Sequence, residues 1–538
     1  MPKHDWKCFF PYADVRPQQK DAICAAIDAF ENGKKFFLLE AGTGVGKSAI
    51  GLTIARYVSA HLTKNPEYVA GAYMLTTQKI LQEQYTKDFG LPGGALRSIK
   101  SSSNYPCKFY KGQSCGESLR LLKGAQRGSA FWNSCIGNCT YKKAKQSFLD
   151  APQGVTNFSY FLAETQYAGK LEPRHLMIVD EAHNASDELS KFIEVNVTEY
   201  FCKKFLGIKL IDKTTPLKTV KWVKETYMPK LESKIKHFEQ NLARFTNLRE
   251  KIDSGEFANL ARKFELLDKH ACKMRRFIGI WNDTNWIMDE QYSTERHARK
   301  IQFKPIDVAP YANDMLHHYG QFNLLMSATI LNDRAFCELL GIKSDECGYL
   351  NIPSPFPIQN RPVVYTPIGK MSTRFIDESL PKLVQAIKLI LEAHPEEKGI
   401  IHTNSYKIAN YIVRNIRSSR LLTHDSNNRD KVLNQHMNSD KATVLISPSM
   451  TEGVDLRDDL SRFQILCKVP YPYLGDKLIR KKMNRWKWWY DLQTAKTVIQ
   501  AMGRSVRSTE DTAISYILDE DWTRFHSKNS HLFGPEYK

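Results

Sequence analysis

Phe36-Phe-Leu-Leu-Glu40 runs straight into Ala41-Gly-Thr-Gly-Val-Gly-Lys47-Ser48. The next residues, Ser48-Ala-Ile-Gly-Leu-Thr-Ile-Ala-Arg-Tyr-Val58, carry apolar side chains at helical spacing. Strand, loop and helix follow one another. Gly42, Gly44 and Gly46, with Thr43 between them, let successive backbone N–H groups curl around phosphate oxygens, and the helix turns its positive end toward them. In such a loop Lys47 reaches the β- and γ-phosphates of a nucleotide and the Ser48 hydroxyl ligates Mg²⁺. Ala41 stands where the strict pattern has glycine. A chance glycine-rich turn is the competing reading, and the flanking strand and helix weigh against it.

Two further apolar runs extend the pattern. Tyr73-Met-Leu75 ends at Thr76-Thr77, and Leu176-Met-Ile-Val179 ends at Asp180-Glu181. Buried parallel strands alternating with helices predict an α/β sheet with ligands at the carboxyl ends of its strands. There Asp180 would hold Mg²⁺ and Glu181 would polarise an attacking water. Acidic strand ends also serve as plain helix caps. After the proline-rich joint Pro353-Ser-Pro-Phe-Pro357, α/β texture returns with Gly399-Ile-Ile-His402 and Thr443-Val-Leu-Ile-Ser447. Near the end, Gln500, Arg504 and Arg507 are spaced to share one face of a helix. Two guanidinium groups facing a γ-phosphate from a second domain would stabilise transition-state charge, although arginines on a helix face are commonly just solvated.

The 538 residues leave room for roughly three or four domains of about 150 residues. Globular proportions, 42% hydrophobic and 25% charged, support a sizeable core. No run approaches the roughly 18 apolar residues of a membrane span, and Met1-Pro-Lys-His-Asp-Trp6 lacks a signal peptide's apolar core. The expectation is a soluble intracellular protein that binds no membrane. A net charge of +19 favours a polyanionic partner, though charge alone would equally serve solubility.

The 11 cysteines are an odd number and mostly scattered, unlike a secreted disulfide framework. Cys107, Cys115, Cys135 and Cys139 are the exception. They fall in a stretch of Ser, Gly, Cys and Lys from about 95 to 150 without clear periodicity. Four thiolates can hold a [4Fe–4S] cluster or a structural zinc, and spacing alone leaves both open. From about 190 to 310 the chain turns helical and basic, with 19 Lys/Arg against 9 Asp/Glu over residues 203–276. A second basic run, Lys477 to Trp489, interleaves cations with Trp486, Trp488 and Trp489. Bases can stack on such rings, but two of the three are expected in the core.

Taken in order, these pieces resemble superfamily-two helicases of the XPD/DinG-like iron–sulfur branch. The matching residues are Arg16-Pro-Gln-Gln19, the phosphate loop, Thr76-Thr77, Val155-Thr-Asn-Phe158 and Asp180-Glu-Ala-His183. They continue with Ser327-Ala-Thr329, Thr403–Ser405, Glu452-Gly-Val-Asp455, Pro470-Tyr-Pro472 and Gln500–Arg507. The resemblance covers about 1–190 and 310–538. The basic insert matches by position and texture only.

It implies two RecA-like parallel-sheet motor domains with a small iron–sulfur insertion and a helical arch insertion in the first. The expected limits are motor one at 1–100, 151–190 and 311–335, cluster domain 101–150, arch 191–310 and motor two 336–538. One ATP with Mg²⁺ would sit between the motors. Gln19 would read adenine, and Ser327-Ala-Thr329 would couple hydrolysis to domain movement. Glu452, Gly453 and Asp455 would link motor two to nucleotide and DNA, and Arg504 and Arg507 would be arginine fingers. The cysteines would hold [4Fe–4S] rather than zinc, bracing a pin where duplex splits, with Lys108, Lys111, Lys142, Lys143 and Lys145 around it. Lys203, Lys204, Lys273, Arg275 and Arg276 of the arch would line a path for single-stranded DNA.

The implied activity is ATP-driven 5′→3′ translocation on single-stranded DNA and unwinding of forked DNA by a monomeric motor. The rivals are a translocase that does not unwind and a DNA-binding scaffold with a vestigial ATP site. Two departures from the family stand out: Ile400-Ile-His402 where a more apolar, aromatic run is expected, and Asp519-Glu-Asp521 without its usual arginine.

Overall fold

The computed structural model describes residues 3–62, 65–77, 79–90, 95–122, 125–169, 171–247, 254–292, 298–425, 428–448, 456 and 458–537. The chain forms two compact units. The first comprises Met1–Leu38, Ser48–Met326 and Phe336–Gly348, and the second Leu39–Lys47, Ser327–Ala335 and Tyr349–Lys538.

The first sheet begins with β1 (Phe36–Ala41), β2 (Val69–Thr76), β3 (Leu96–Ser98), β4 (Gln153–Asn157) and β5 (Arg174–Asp180). An insert then supplies β6 (Val195–Thr198), β7 (Trp286–Gln291) and β8 (Lys300–Pro305) before the sheet resumes with β9 (Gly320–Ser327) and β10 (Cys347–Ile352). Its order is β10-β1-β9-β5-β2-β4-β3. The pairs from β9 to β3 are parallel. Every residue of β1 and β5 is buried, as expected of strands covered on both faces, and this is why they read as unbroken apolar runs. β10 lies beyond the expected boundary at 335, because the helix Asp333–Leu340 returns the chain to pair beside β1.

The insert is not purely helical. Its helices Met228–Asn247 and Ser254–Ile280 accompany an antiparallel sheet of order β6-β8-β7. Four residues of β6, alternating in burial, are too short a run to stand out by period. The two helices reach the cysteine-bearing segment, where Leu242 and Ala261 pack with Leu121, Phe131 and Cys135.

The second unit holds β11 (Val363–Gly369), β12 (Gly399–His402), β13 (Leu421–Thr423), β14 (Val444–Ser447), β15 (Phe463–Leu466) and β16 (Ile514–Asp519). They form an all-parallel sheet of order β11-β16-β15-β12-β14-β13. Leu383 and Ile387 from the helix Ile376–Ala393 pack against Ile401, Ile446 and Ile465 of the strands. Among the described residues no helix is long and apolar enough to cross a membrane.

Candidate nucleotide site and cysteine pocket

The phosphate loop keeps its glycines for two different reasons. A Cβ on Gly42 would lie 2.4 Å from the backbone nitrogen of Ser354, so only hydrogen fits. Gly44 has φ +91°, a region that L side chains avoid, and a Cβ there would lie 2.3 Å from the Phe356 ring. Lys47 Nζ donates to the Ala41 carbonyl at 3.3 Å, so its side chain folds back over the loop. Ser354 Oγ donates to Thr43 O at 2.9 Å, and Gly42 N–H to Ile352 O at 2.9 Å. The proline-rich stretch therefore packs on the loop besides joining two sequence regions.

Glu40, the residue before the loop, is a buried carboxylate that sequence reading passed over. Its oxygens accept from Leu331 N (2.8 Å), Tyr349 Oη (2.6 Å) and Asn351 Nδ2 (3.2 Å). Burial raises its pKa, which these hydrogen bonds oppose.

Gln500 Nε2 donates to Thr329 Oγ1 at 3.2 Å, while Thr329 N–H donates to Ser327 Oγ at 3.0 Å. The helix face expected for Gln500, Arg504 and Arg507 is not formed. The helix Trp489–Met502 stops at Gly503, so both arginines lie in the following turn; glycine's poor helix propensity favours a stop there. Asp511, buried, holds this turn: Oδ2 accepts from Arg507 N–H at 3.0 Å and Oδ1 from Arg462 Nη1 at 2.7 Å. His402, the departure noted above, is fully buried near Arg504. Burial first, and the guanidinium second, push its pKa down to about 3, so it is neutral. Asp519 accepts from the backbone N–H groups of Val469, Met371 and Asp521, which gives that run an architectural use. Glu452, Gly453 and Asp455 lie outside the described residues.

In the first unit the Ser48 and Asp180 side chains meet at Tyr85. Tyr85 Oη donates to Asp180 Oδ2 at 3.0 Å and shares a hydrogen bond with Ser48. Asp180 Oδ1 accepts from Glu181 N–H at 3.0 Å. Glu181 adopts φ 53°, ψ 45° and lies 3.3 Å from His183 Nδ1. Left-handed backbone at a non-glycine residue costs about 1–3 kcal/mol and concentrates at functional sites. Gln19 is buried and caps its own helix, Pro17–Glu31, by accepting from Arg16 N–H at 3.1 Å.

Local structure gathers the four cysteines. A bridge between Pro106 and Ser114, with Cys107 N–H bonded to Gln113 O and Cys115 N–H to Tyr105 O, folds the first two side by side. Cys115 opens the helix Cys115–Leu121, which Ser114 caps; Cys135 lies in Ala130–Gly137, and Cys139 immediately precedes Thr140–Asp150. All four line one pocket with Phe109, Ser118 and Phe131. The Cys115 and Cys139 sulfurs are 3.7 Å apart. Among the described residues no group of three or more His, Cys, Asp or Glu is arranged to hold a metal ion. Burial raises the Cys135 and Cys139 thiols. At Cys107 burial acts the same way, but hydrogen bonds from Ser118 and the Tyr110 and Phe109 backbone outweigh it and lower the pKa.

The basic residues divide. Lys108, Lys111, Lys143, Lys203 and Lys204 are exposed, whereas Lys142 is partly buried and Lys145 pairs with Glu164. Arg275 pairs with Glu232, and Arg276 lies over Phe192 while donating to its carbonyl, so both have local structural partners. Trp486 and Trp489 are buried and Trp488 partly so, with Lys482 over Trp489.

Two family models match this chain: "Type III restriction enzyme, res subunit" over residues 13–210 and "Helicase C-terminal domain" over residues 387–532. The ATP-dependent DNA helicase YoaA of Escherichia coli is 22% identical over 94% of this chain and 91% of its own length. The ATP-dependent DNA helicase CHL1 of Debaryomyces hansenii is 23% identical over 64% of this chain and 52% of its own. A solved XPD helicase shares the fold, with TM-score 0.64 and 14% identity over 97% of this chain and 98% of that one. Two parallel sheets with a phosphate loop, an Asp-Glu-Ala-His turn and a terminal arginine turn define a superfamily-two helicase. Within that class, the chain is similar to helicases of the XPD/DinG-like branch.

Proposed function

We propose that this protein is an ATP-dependent DNA helicase that moves 5′→3′ on single-stranded DNA and opens duplex ahead of it. The observation that carries the nucleotide half is the meeting of Ser48 and Asp180 at one hydroxyl, since these are the side-chain types that share Mg²⁺ in nucleotide hydrolases. Lys47 binds the β- and γ-phosphates, and Glu181 orients the attacking water. Arg504 and Arg507 stabilise the transferring phosphoryl group, and Gln500 ties their turn to Thr329. Gln19 and Asp455 complete the nucleotide contacts. Similarity to the DNA helicases YoaA and CHL1, together with the +19 charge, supports a nucleic-acid track.

Cys107, Cys115, Cys135 and Cys139 line one pocket, and the resemblance to the XPD/DinG-like branch assigns them a [4Fe–4S] cluster rather than zinc. The 3.7 Å between the Cys115 and Cys139 sulfurs equals the separation that one tetrahedral zinc would impose, about 3.8 Å, so the iron content of the purified protein, and not this distance, decides between the two. The cluster's contribution is rigidity in a segment with little apolar core of its own. Residues 101–150 then form the strand-splitting element and 191–310 the arch.

The test is ATP hydrolysis with and without single-stranded DNA, in the parent and in Lys47→Ala. Stimulated hydrolysis that the variant lacks is the expected result; none in the parent leaves only a scaffold. Duplexes with 5′ or 3′ overhangs then separate helicase from translocase and fix polarity.

A further inference from the structure

Phe356 touches two parts of the nucleotide machinery at once. Its ring covers Gly44, where any added Cβ would lie 2.3 Å from Cζ. The same ring is buried with Val506 and Ala513. Val506 stands between Arg504 and Arg507, in the turn that Asp511 secures. The backbone leading to Phe356 is pinned to the loop by Ile352 O and Ser354 Oγ. The ring therefore cannot follow the arginine turn without pressing on the loop, nor the loop without pressing on the turn.

We propose that Phe356 is a positioning residue that transmits occupancy of the phosphate loop to the turn carrying Arg504 and Arg507. Close-packed interiors are poorly compressible, so a shift on one side of a buried ring passes to the other. Phosphate binding reorients the loop's N–H groups, Gly44 meets the ring directly because it has no side chain, and Val506 receives the displacement. Phe356 touches no reacting atom in this scheme. The proposal rests on the nucleotide-site reading above and goes beyond it by naming the link between loop and fingers.

The full chain would be compared with Phe356→Ala, Phe356→Leu and Val506→Ala. The probe is the non-hydrolysable analogue AMP-PNP with Mg²⁺, and the readout is backbone hydrogen exchange across residues 500–511. In the parent, AMP-PNP should slow exchange there. Phe356→Ala should bind AMP-PNP within about threefold of the parent yet lose about tenfold of that slowing, a size typical of coupling between sites. Phe356→Leu, which keeps the contact, should restore most of it. Val506→Ala should uncouple as the alanine variant does, and it decides the question if Phe356→Ala fails to fold. Full protection in both truncations would overturn the proposal. So would loss of AMP-PNP binding that leucine does not rescue, since that marks a merely structural ring. Absence of AMP-PNP binding in the parent would instead sink the nucleotide site itself.

Discussion

Tyr85 Oη donates to Asp180 Oδ2 at 3.0 Å, and the same hydroxyl is bonded to Ser48. Buried tyrosines need a partner for their hydroxyl, and here the partners are two side chains expected to ligate one cation. Burial above all, then the Asp180 charge, holds the phenol well above its ordinary pKa, so it remains a donor. The phenol therefore orients the carboxylate while Glu181 N–H holds the other oxygen.

Tyr85→Phe removes this donor and leaves the ring. Because a hydrogen bond to a charged group is worth about 1.5–3 kcal/mol, the Mg²⁺ concentration giving half-maximal hydrolysis should rise about tenfold or more. Titrating Mg²⁺ at fixed ATP measures it. An unchanged midpoint would mean that Asp180 is held adequately without the tyrosine.

Gly44→Ala and Gly33→Ala form an informative pair. Both positions have positive φ, +91° and +83°, but Gly33 has nothing within 4 Å of an added Cβ, whereas Gly44 has the Phe356 ring. Each should lose about 1–2 kcal/mol from backbone strain. Gly44→Ala alone should also lose most ATP binding. Thermal melts and nucleotide titrations of the two variants check this; equal nucleotide affinity would show that the ring yields at no cost.

Cys107→Ser should abolish duplex opening while leaving most single-strand-stimulated hydrolysis, because the thiol brackets the pocket and not the nucleotide residues. Parallel unwinding and hydrolysis assays separate these effects, and the absorption spectrum of anaerobically purified parent reports the cluster. A variant that unwinds like its parent would refute the bracing role.

Acid should destabilise the fold well before its carboxylates protonate. Burial depresses His402 to about 3, and His317 and His270 to about 4, from an ordinary 6.5. The unfolded chain thus takes up these protons first, and stability falls as pH drops from about 6.5 toward 4. Each histidine contributes about 1.4 kcal/mol per pH unit in that window. Urea midpoints at pH 7, 6 and 5 measure the slope. A midpoint that stays flat would show that these imidazoles protonate within the fold.

Read on its own, the chain discloses the phosphate loop, the strands ending at Thr76 and Asp180, the second α/β region and the four cysteines. Each is written along one continuous stretch of chain, in glycine spacing, apolar runs or residue type. Tertiary structure alone decided the rest. Tyr85 reaches Asp180, Glu40 reaches Leu331, and Phe356 reaches Gly44 and Val506 across long stretches of chain. No periodicity announces such contacts. Even the placement of Arg504 and Arg507 turned on where a helix stopped, at Gly503, because helix ends depend on the packing around them as much as on the residues they contain.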